Sequence, residues 1–452
     1  MKETALQPRL PLGDLLDREP SPSRRSPPAN RENALGAEDR PFHDWYRFVL
    51  SFPPHLVRDY IQDFGLGESS TLLDPFCGTG TTVLEAKLNH IRGVGLEANP
   101  FPCFATGVKG DWGIDPDLLL EGSHQVARMA IGLLHNQGID DNSPFETHPD
   151  ATLRDLDWEA KRLLIKDSIS PLPLHKTLVL LDCLRAHSDR PYYRHGLLAL
   201  GKALVFSIGN LRFGPEVGVG KRKQDVPVVS TWLAEMAAMA GDLRSVRDED
   251  YPECSAYLAD AREVGKLLEP RSVDAVITSP PYPNEKDYTR TTRLESVLLG
   301  FYTNTAQLRD LKRRLVRSNT RGVYKADDDD RWIADHPEIQ QIADRIEARR
   351  IDLGKTSGFE RLYGRVTKLY FGGMARHLAE LRPVLRPGAR LAYVVGDQAS
   401  YLRVMIRTGQ LLSEIAQGLG YELVRIDLFR TRFATATQSD LREEVLVLRW
   451  PG

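Results

Sequence analysis

The chain has 452 residues, 41% of them hydrophobic and 27% charged, with a net charge of −2. That length and balance fit a globular protein of one large domain or two to three smaller ones, and exclude a polycation that binds nucleic acid with its whole surface. No run approaches the roughly 20 apolar residues needed to span a bilayer. The polar, proline-rich start holds no apolar leader core, and the cysteines (Cys77, Cys103, Cys183, Cys254) form no close pair. A cytoplasmic protein with no metal site and no disulfide framework is expected.

Residues 1 to about 40, rich in Pro, Ser and Arg, read as a disordered tail. From 41 the pattern turns regular. A helix interrupted at Pro53 and Pro54 resumes with Leu56, Tyr60 and Ile61 on one face. The apolar run Thr71–Asp74 meets a Gly-rich turn, then a helix from about Thr82 to Asn89; a second run, Gly93–Leu96, ends at Glu97. Strand, turn, helix, strand, acid is how a parallel α/β sheet opens.

Between 111 and 250 the spacing predicts helices over 118–135, 151–165, 194–206 and 228–247, and no dependable strand. Strand signals resume in "SAYLADAR" (255–262) and "SVDAVITSPPY" (272–282). A charged, mostly helical stretch fills 301–365. The last section predicts a helix over 366–382, a turn and buried strand in "RPGARLAYVVGD", a helix over 400–418 and two closing strands. The simplest architecture is one α/β sheet assembled from 41–110, 251–300 and 366–452. Two mostly helical insertions, 111–250 and 301–365, interrupt it, and the first is a candidate target-recognition region.

Chemistry concentrates in two motifs. In "LLDPFCGTGTT" (72–82) a strand delivers Asp74 to the carboxyl edge of the sheet, and Gly78 and Gly80 let the backbone turn tightly and approach a ligand. A glycine turn alone often serves packing. An acid inside this one would repel a pyrophosphate and suits a cationic ligand such as a sulfonium bearing an ammonium group. Glu97 ends the next strand at the spacing where an acid accepts from ribose hydroxyls; taken alone it is a solvated strand end. Asp260, at the end of "SAYLADAR", either accepts from an adenine amino group or caps the helix that follows, and the two roles are compatible.

The second motif is "ITSPPY" (277–282). Two prolines at a strand end stiffen the chain and remove two N–H donors, leaving carbonyls free. Ser279 and the Pro280 carbonyl can hold an amino group by its hydrogens while Tyr282 stacks on a flat heterocycle. Holding both hydrogens favours a more tetrahedral nitrogen with its lone pair available. A structural Pro-Pro turn is the plain alternative. A base in a duplex cannot reach such a loop without being flipped out.

"DPFCGTGTT" with "TSPPY" resembles the S-adenosylmethionine-dependent DNA amino-methyltransferases, and the Ser-Pro-Pro-Tyr variant resembles their cytosine-N4 branch. The resemblance spans roughly 41–110, 252–300 and 366–452. It implies a class I Rossmann-like methyltransferase fold: a mixed, mostly parallel seven-stranded sheet. It further implies that Asp74, Phe76, Cys77, Gly78, Thr79, Gly80 and Thr81 cradle the methionine part of S-adenosylmethionine, that Glu97 holds its ribose and Asp260 its adenine, and that Ser279, Pro280, Pro281 and Tyr282 form the catalytic loop. The Phe52-Pro53 region resembles the segment that closes over the methionine moiety. DNA is the implied partner, with a cognate restriction endonuclease alongside. Two features depart from the pattern. The cofactor motif precedes the catalytic one, where many relatives are permuted, and the long 111–250 insertion has no evident counterpart.

Candidate DNA contacts lie in the Gly-rich, basic stretch 207–227, through Arg212, Lys221, Arg222 and Lys223, and just after the catalytic loop, through Asp287, Tyr288, Arg290 and Arg293. A flexible surface loop is the alternative for 207–227. The basic run "RDLKRRLVRSNTRGVYK" (309–325), followed by the acids Asp327 to Asp330, reads equally as a solvated helix and an acidic loop. Competing functions are adenine-N6 methylation of DNA, methylation of RNA or protein amines, carbon-5 cytosine methylation through Pro102-Cys103, and a nucleic-acid-binding module with an inactive cofactor fold. Cys103 follows the wrong strand for the carbon-5 reaction. Intact Gly78, Gly80, Ser279 and Tyr282 speak against an inactive fold.

Overall fold

The computed structural model describes residues 35–48, 51–142, 152–214, 216–284, 286–434 and 439–452. Most of the tail read as disordered lies outside them. The strands are β1 (Thr71–Asp74), β2 (Arg92–Glu97), β3 (Leu211–Phe213), β4 (Val217–Val219), β5 (Ser255–Leu258), β6 (Val273–Thr278), β7 (Leu385–Gly396), β8 (Glu422–Ala434) and β9 (Ser439–Arg449). Seven form one sheet in the order β5-β2-β1-β6-β7-β9-β8. The first five run parallel, and β9 pairs antiparallel with both β7 and β8. This mixed, mostly parallel sheet is the Rossmann-like methyltransferase fold expected above.

Alternation along each strand divides the core between two faces. Leu72, Ala275, Ile277, Ala392 and Val394 pack with the helix Pro54–Phe64. Leu73, Val276, Leu391 and Tyr393 face the helices Tyr363–Leu381 and Thr408–Gly418. A third cluster is helical. Residues from Pro116–His135, Pro171–Arg185, Tyr193–Ala203 and Val229–Ser245 pack around Trp232 and reach the sheet layer through Phe101 and Leu84.

Several elements differ from expectation for local reasons. The 151–165 helix holds only over Trp158–Leu163, where Asp157 caps its first turn by accepting from Ala160 N. The helix expected from 400 starts at Thr408. Before it the chain folds back through a bridge between Gln398 and Ile406, with Leu402 and Arg403 at positive φ. The strand from Ser255 stops at Leu258, and Asp260 instead caps a short helical turn by accepting from Arg262 N. Within 111–250, where no strand was expected, β3 and β4 make a hairpin of three residues a side. That is too short to show alternation.

The stretch after β6 is tied to the sheet by buried charge. Arg262 bonds both carboxylate oxygens of Asp260 and also pairs with Asp329, which Arg376 approaches at 3.4 Å. The helix carrying Arg376 passes so close that a Cβ on Gly372 would overlap the Asp329 carbonyl. Gly372→Ala is therefore expected to destabilise the protein by about 1–3 kcal/mol, read as a lower midpoint in denaturant. An unchanged midpoint would show that this contact yields without strain.

Candidate active site

β1 and β6 are neighbours, and β1 leads to β2 on one side while β6 leads to β7 on the other. In an open α/β sheet the crevice beyond the carboxyl ends at such a switch point is where ligands bind. Both motifs leave the sheet there. Asp74 ends β1 and Thr278 ends β6, and the Thr278 hydroxyl donates to Asp74 Oδ1 at 2.6 Å. One turn later Thr82 Oγ1 donates to the Ile277 carbonyl at 3.0 Å. The two loops are thus fastened to each other.

They open onto one cavity of about 280 Å³. From the first motif Phe76, Cys77, Gly78 and Thr81 line it, with Glu97 and Asn99 from the end of β2; from the second come Ser279, Pro280, Pro281 and Tyr282. Thr79 and Gly80 hold the turn from behind. Thr79 O accepts from the buried Lys109 ammonium at 2.8 Å, and Gly80 N donates to Cys77 O at 2.7 Å. Gly78 has φ +52 and Gly80 φ +85, which glycine tolerates without strain. A Cβ on Gly78 would meet nothing within 4 Å, whereas one on Gly80 would lie 2.8 Å from Thr106 Cγ2. The first glycine keeps the ligand side open and the second permits packing.

The carboxylates are short of counter-charge. Asp74 is fully buried; its Oδ1 accepts from Phe76 N and Thr278, while its Oδ2 has no partner among the described residues. Burial pushes its carboxyl up to about 6 despite those donors. Glu97 accepts from Asn99 N at 2.7 Å and Gly78 N at 3.0 Å. Burial pushes it up to about 7, with Asp74 adding repulsion. Glu97 lines the cavity while Asp74 is buried behind its wall, and two desolvated acids in one region favour a cation nearby. An unmatched oxygen and an open glycine cradle suit the ammonium and sulfonium of an aminoacyl cofactor.

Around the Ser279–Tyr282 loop, Ser279 Oγ donates to Val394 O at 3.2 Å, and Tyr282 N donates to the Tyr288 hydroxyl at 3.3 Å. Tyr288 lines the cavity too and stacks with Phe48 at a ring separation of 6.3 Å. Asp287 lies beside it. Burial pushes its carboxyl up, but Lys312 at 2.7 Å, Thr289 and Arg293 outweigh burial and hold it below the usual range.

The other candidate residues lie apart from the cavity walls. Asp260 has both oxygens engaged by Arg262. Arg293 bonds Thr289 and the Leu163 carbonyl inside the protein, and Arg290 reaches the Val217 carbonyl of the hairpin at 3.5 Å. Lys223 donates to Ser207 O and Gly209 O, and Arg222 pairs with Asp167. Arg212 and Lys221 are exposed on and beside the hairpin. Phe52, singled out in the sequence, does line the cavity.

Sequence reasoning missed three further parts of the wall. Phe48 belongs to the strap that hydrogen-bonds Thr79. Leu315 to Asn319 belong to the segment after the basic helix. Arg430 and Glu443, paired at 2.6 Å across β8 and β9, close the side next to Tyr282. The second lay within the basic run 309–325, and the last at the ends of two strands expected to close the sheet.

No family model matches the chain. Over 431 residues it is 24% identical to the Type II methyltransferase M.BsoBI of Geobacillus stearothermophilus, covering 89% of this chain and 82% of that protein. Over 189 residues it is 32% identical to the Type II methyltransferase M.AvaI of Nostoc sp., covering 39% of this chain and 38% of that one, with the same figures for M.AvaI of Anabaena variabilis. No helix among the described residues is long and apolar enough to cross a membrane.

Asp74 and Glu97 titrate near 4 in an unfolded chain but near 6 and 7 when folded and unliganded. The folded state therefore binds more protons, and the stability these groups contribute is lost as pH rises from about 4 through 7. Asp74→Asn is expected to melt at a higher temperature than the parent at pH 8, by an amount equivalent to about 1–3 kcal/mol, and with little difference near pH 4. A variant less stable at both values would show that the carboxylate is satisfied by protein partners.

Proposed function

We propose that the protein transfers a methyl group from S-adenosylmethionine to the exocyclic N4 amino group of a cytosine in DNA. The observation that carries this reading is one cavity lined by both the Phe76–Thr81 turn and the Ser279–Tyr282 loop. Similarity to Type II methyltransferases supports the transfer reaction and DNA as substrate. The choice of cytosine rests on the Ser-Pro-Pro-Tyr sequence. A cognate restriction endonuclease would then share its recognition site.

Asp74 Oδ2 and the Gly78 turn hold the cationic amino-acid end of the donor, and Glu97 holds its ribose. When bound, S-adenosylmethionine supplies a methyl group on a sulfonium centre. The target cytosine leaves the duplex, because its amino group is otherwise inside the stack. Tyr282 stacks on the ring, while Ser279 Oγ and the Pro280 carbonyl accept the two amino hydrogens. Those bonds draw the nitrogen lone pair out of conjugation and aim it along the line of transfer. As the nitrogen–methyl bond formed, the carbon–sulfur bond of the donor would break to leave a neutral thioether, and the surplus amino proton would pass to water. Cys77 and Cys103 are buried with thiols pushed up by burial, so neither serves as a thiolate nucleophile.

Digestion of duplex DNA treated with the protein and labelled donor is expected to release N4-methylcytosine, identified by mass. N6-methyladenine would overturn the cytosine assignment, and an absence of methylated nucleoside would overturn the reaction. Tyr282→Ala is expected to lower kcat/KM roughly five- to 150-fold, the equivalent of one base stacking contact. Calorimetric affinity for S-adenosylhomocysteine is expected to rise as pH climbs through about 6, where Asp74 ionises, and Asp74→Asn should flatten that rise.

A further inference from the structure

The basic run that followed the catalytic region has its own place at the cavity. Between Thr305 and Lys325 the sequence holds seven basic residues and one acid. A helix, Thr305–Arg314, carries the first half. Immediately after it, Leu315, Val316, Arg317, Ser318, Asn319 and Gly322 form a wall of the cavity, with Lys312 beside them. The segment is fixed there by the Lys312–Asp287 pair at 2.7 Å and by Asn319 Nδ2 donating to Lys286 O at 3.1 Å. Tyr324 lies 5.5 Å from the guanidinium groups of both Arg313 and Arg317, which keeps the run compact.

The acids that follow decide what this face presents. An acidic loop folded back over the helix would cancel its charge. In the structure Asp327 pairs with the buried Arg317 at 2.8 Å, Asp328 with Arg331 at 3.0 Å, and Asp329 is buried against Arg262 and Arg376. Arg309, Arg314, Arg321 and Lys325 are exposed and make no ion pair with a described residue. Arg314 and Arg321 directly adjoin wall residues Leu315 and Gly322. These four exposed side chains thus lie on the segment that forms this wall, and no described acid pairs with them.

We propose that Arg309, Arg314, Arg321 and Lys325 form a clamp for duplex DNA phosphates on either side of the flipped nucleotide. The inference rests on the proposed function, since a base held on the Ser279–Tyr282 loop brings its own backbone to the cavity mouth. Phosphate neutralisation releases counter-ions, so each lost contact flattens the dependence of affinity on salt. The 301–365 region thereby holds the DNA backbone and supplies part of the pocket that receives the base. The 207–227 stretch is left with a lesser electrostatic role, because Arg222 and Lys223 are engaged within the protein.

The test is a salt titration of duplex binding by fluorescence anisotropy in the presence of S-adenosylhomocysteine. Replacing all four residues by Ala is expected to weaken binding and to reduce the slope of log K against log salt by about 3–4. Calorimetric binding of S-adenosylhomocysteine should be unchanged, which separates charge from misfolding. Replacing the three arginines by Lys should keep the slope, and Arg212→Ala with Lys221→Ala and Arg222→Ala should alter it by no more than about one. If the parent protein methylates DNA while the four-alanine variant keeps its full slope, the clamp is overturned and the proposed function stands. If the parent protein neither binds nor methylates DNA, the proposed function fails and the clamp with it.

Discussion

The last side chains of β1 and β6 touch, Thr278 giving its hydroxyl proton to Asp74. Parallel neighbours in a sheet release their loops at the same edge, so adjacency of these two strands brings a glycine turn and a proline loop to one place. The hydrogen bond then sets their separation, and Thr82 reaching back to Ile277 sets their relative orientation. Sequestering that junction from water has a second effect. It leaves Asp74 Oδ2 without a hydrogen-bond partner among the described residues, and burial raises its carboxyl to about 6.

Everything else around the cavity comes from distant parts of the chain. The strap with Phe48 lies against the glycine turn, the segment from Lys312 to Gly322 lines the same cavity as the Ser279–Tyr282 loop, and the Arg430–Glu443 pair closes the side beside Tyr282. A Cβ on Gly396 would stand 3.0 Å from the Tyr282 ring and 3.4 Å from Glu443, so the aromatic ring is backed by the sheet itself.

The parts legible in the sequence were those written in contiguous residues. β1 begins and ends where the apolar run does, and β2 differs by one residue at each end, because buried parallel strands are short unbroken apolar runs. Asp74, Gly78, Ser279 and Tyr282 could be located because each sits at a strand end, where the motif and the change of period coincide. Asp260 follows β5 at the sheet edge and caps the turn after it, one of the two roles the sequence offered. Its strand stops at Leu258, and the neighbouring Arg262, invisible as a partner in one dimension, holds its carboxylate. Arg290 and Arg293, expected as DNA contacts, bond the Val217 and Leu163 carbonyls, partners equally invisible in one dimension. The wall from Leu315 to Asn319 lay inside the basic run 309–325, whose charge did not place it at the cavity. It became part of the cavity only because Lys312 finds Asp287 and Arg262 finds Asp329, pairings of tertiary structure.

The most direct test of a shared cavity is a crystal structure of the protein with S-adenosylhomocysteine bound. The account requires its sulfur to lie within about 5 Å of the site an amino nitrogen would occupy between Ser279 Oγ and the Pro280 carbonyl, the reach of a single methyl transfer. Its amino group should be next to Asp74 Oδ2. A ligand bound elsewhere, or one whose sulfur is walled off from Ser279 and Tyr282, would contradict it.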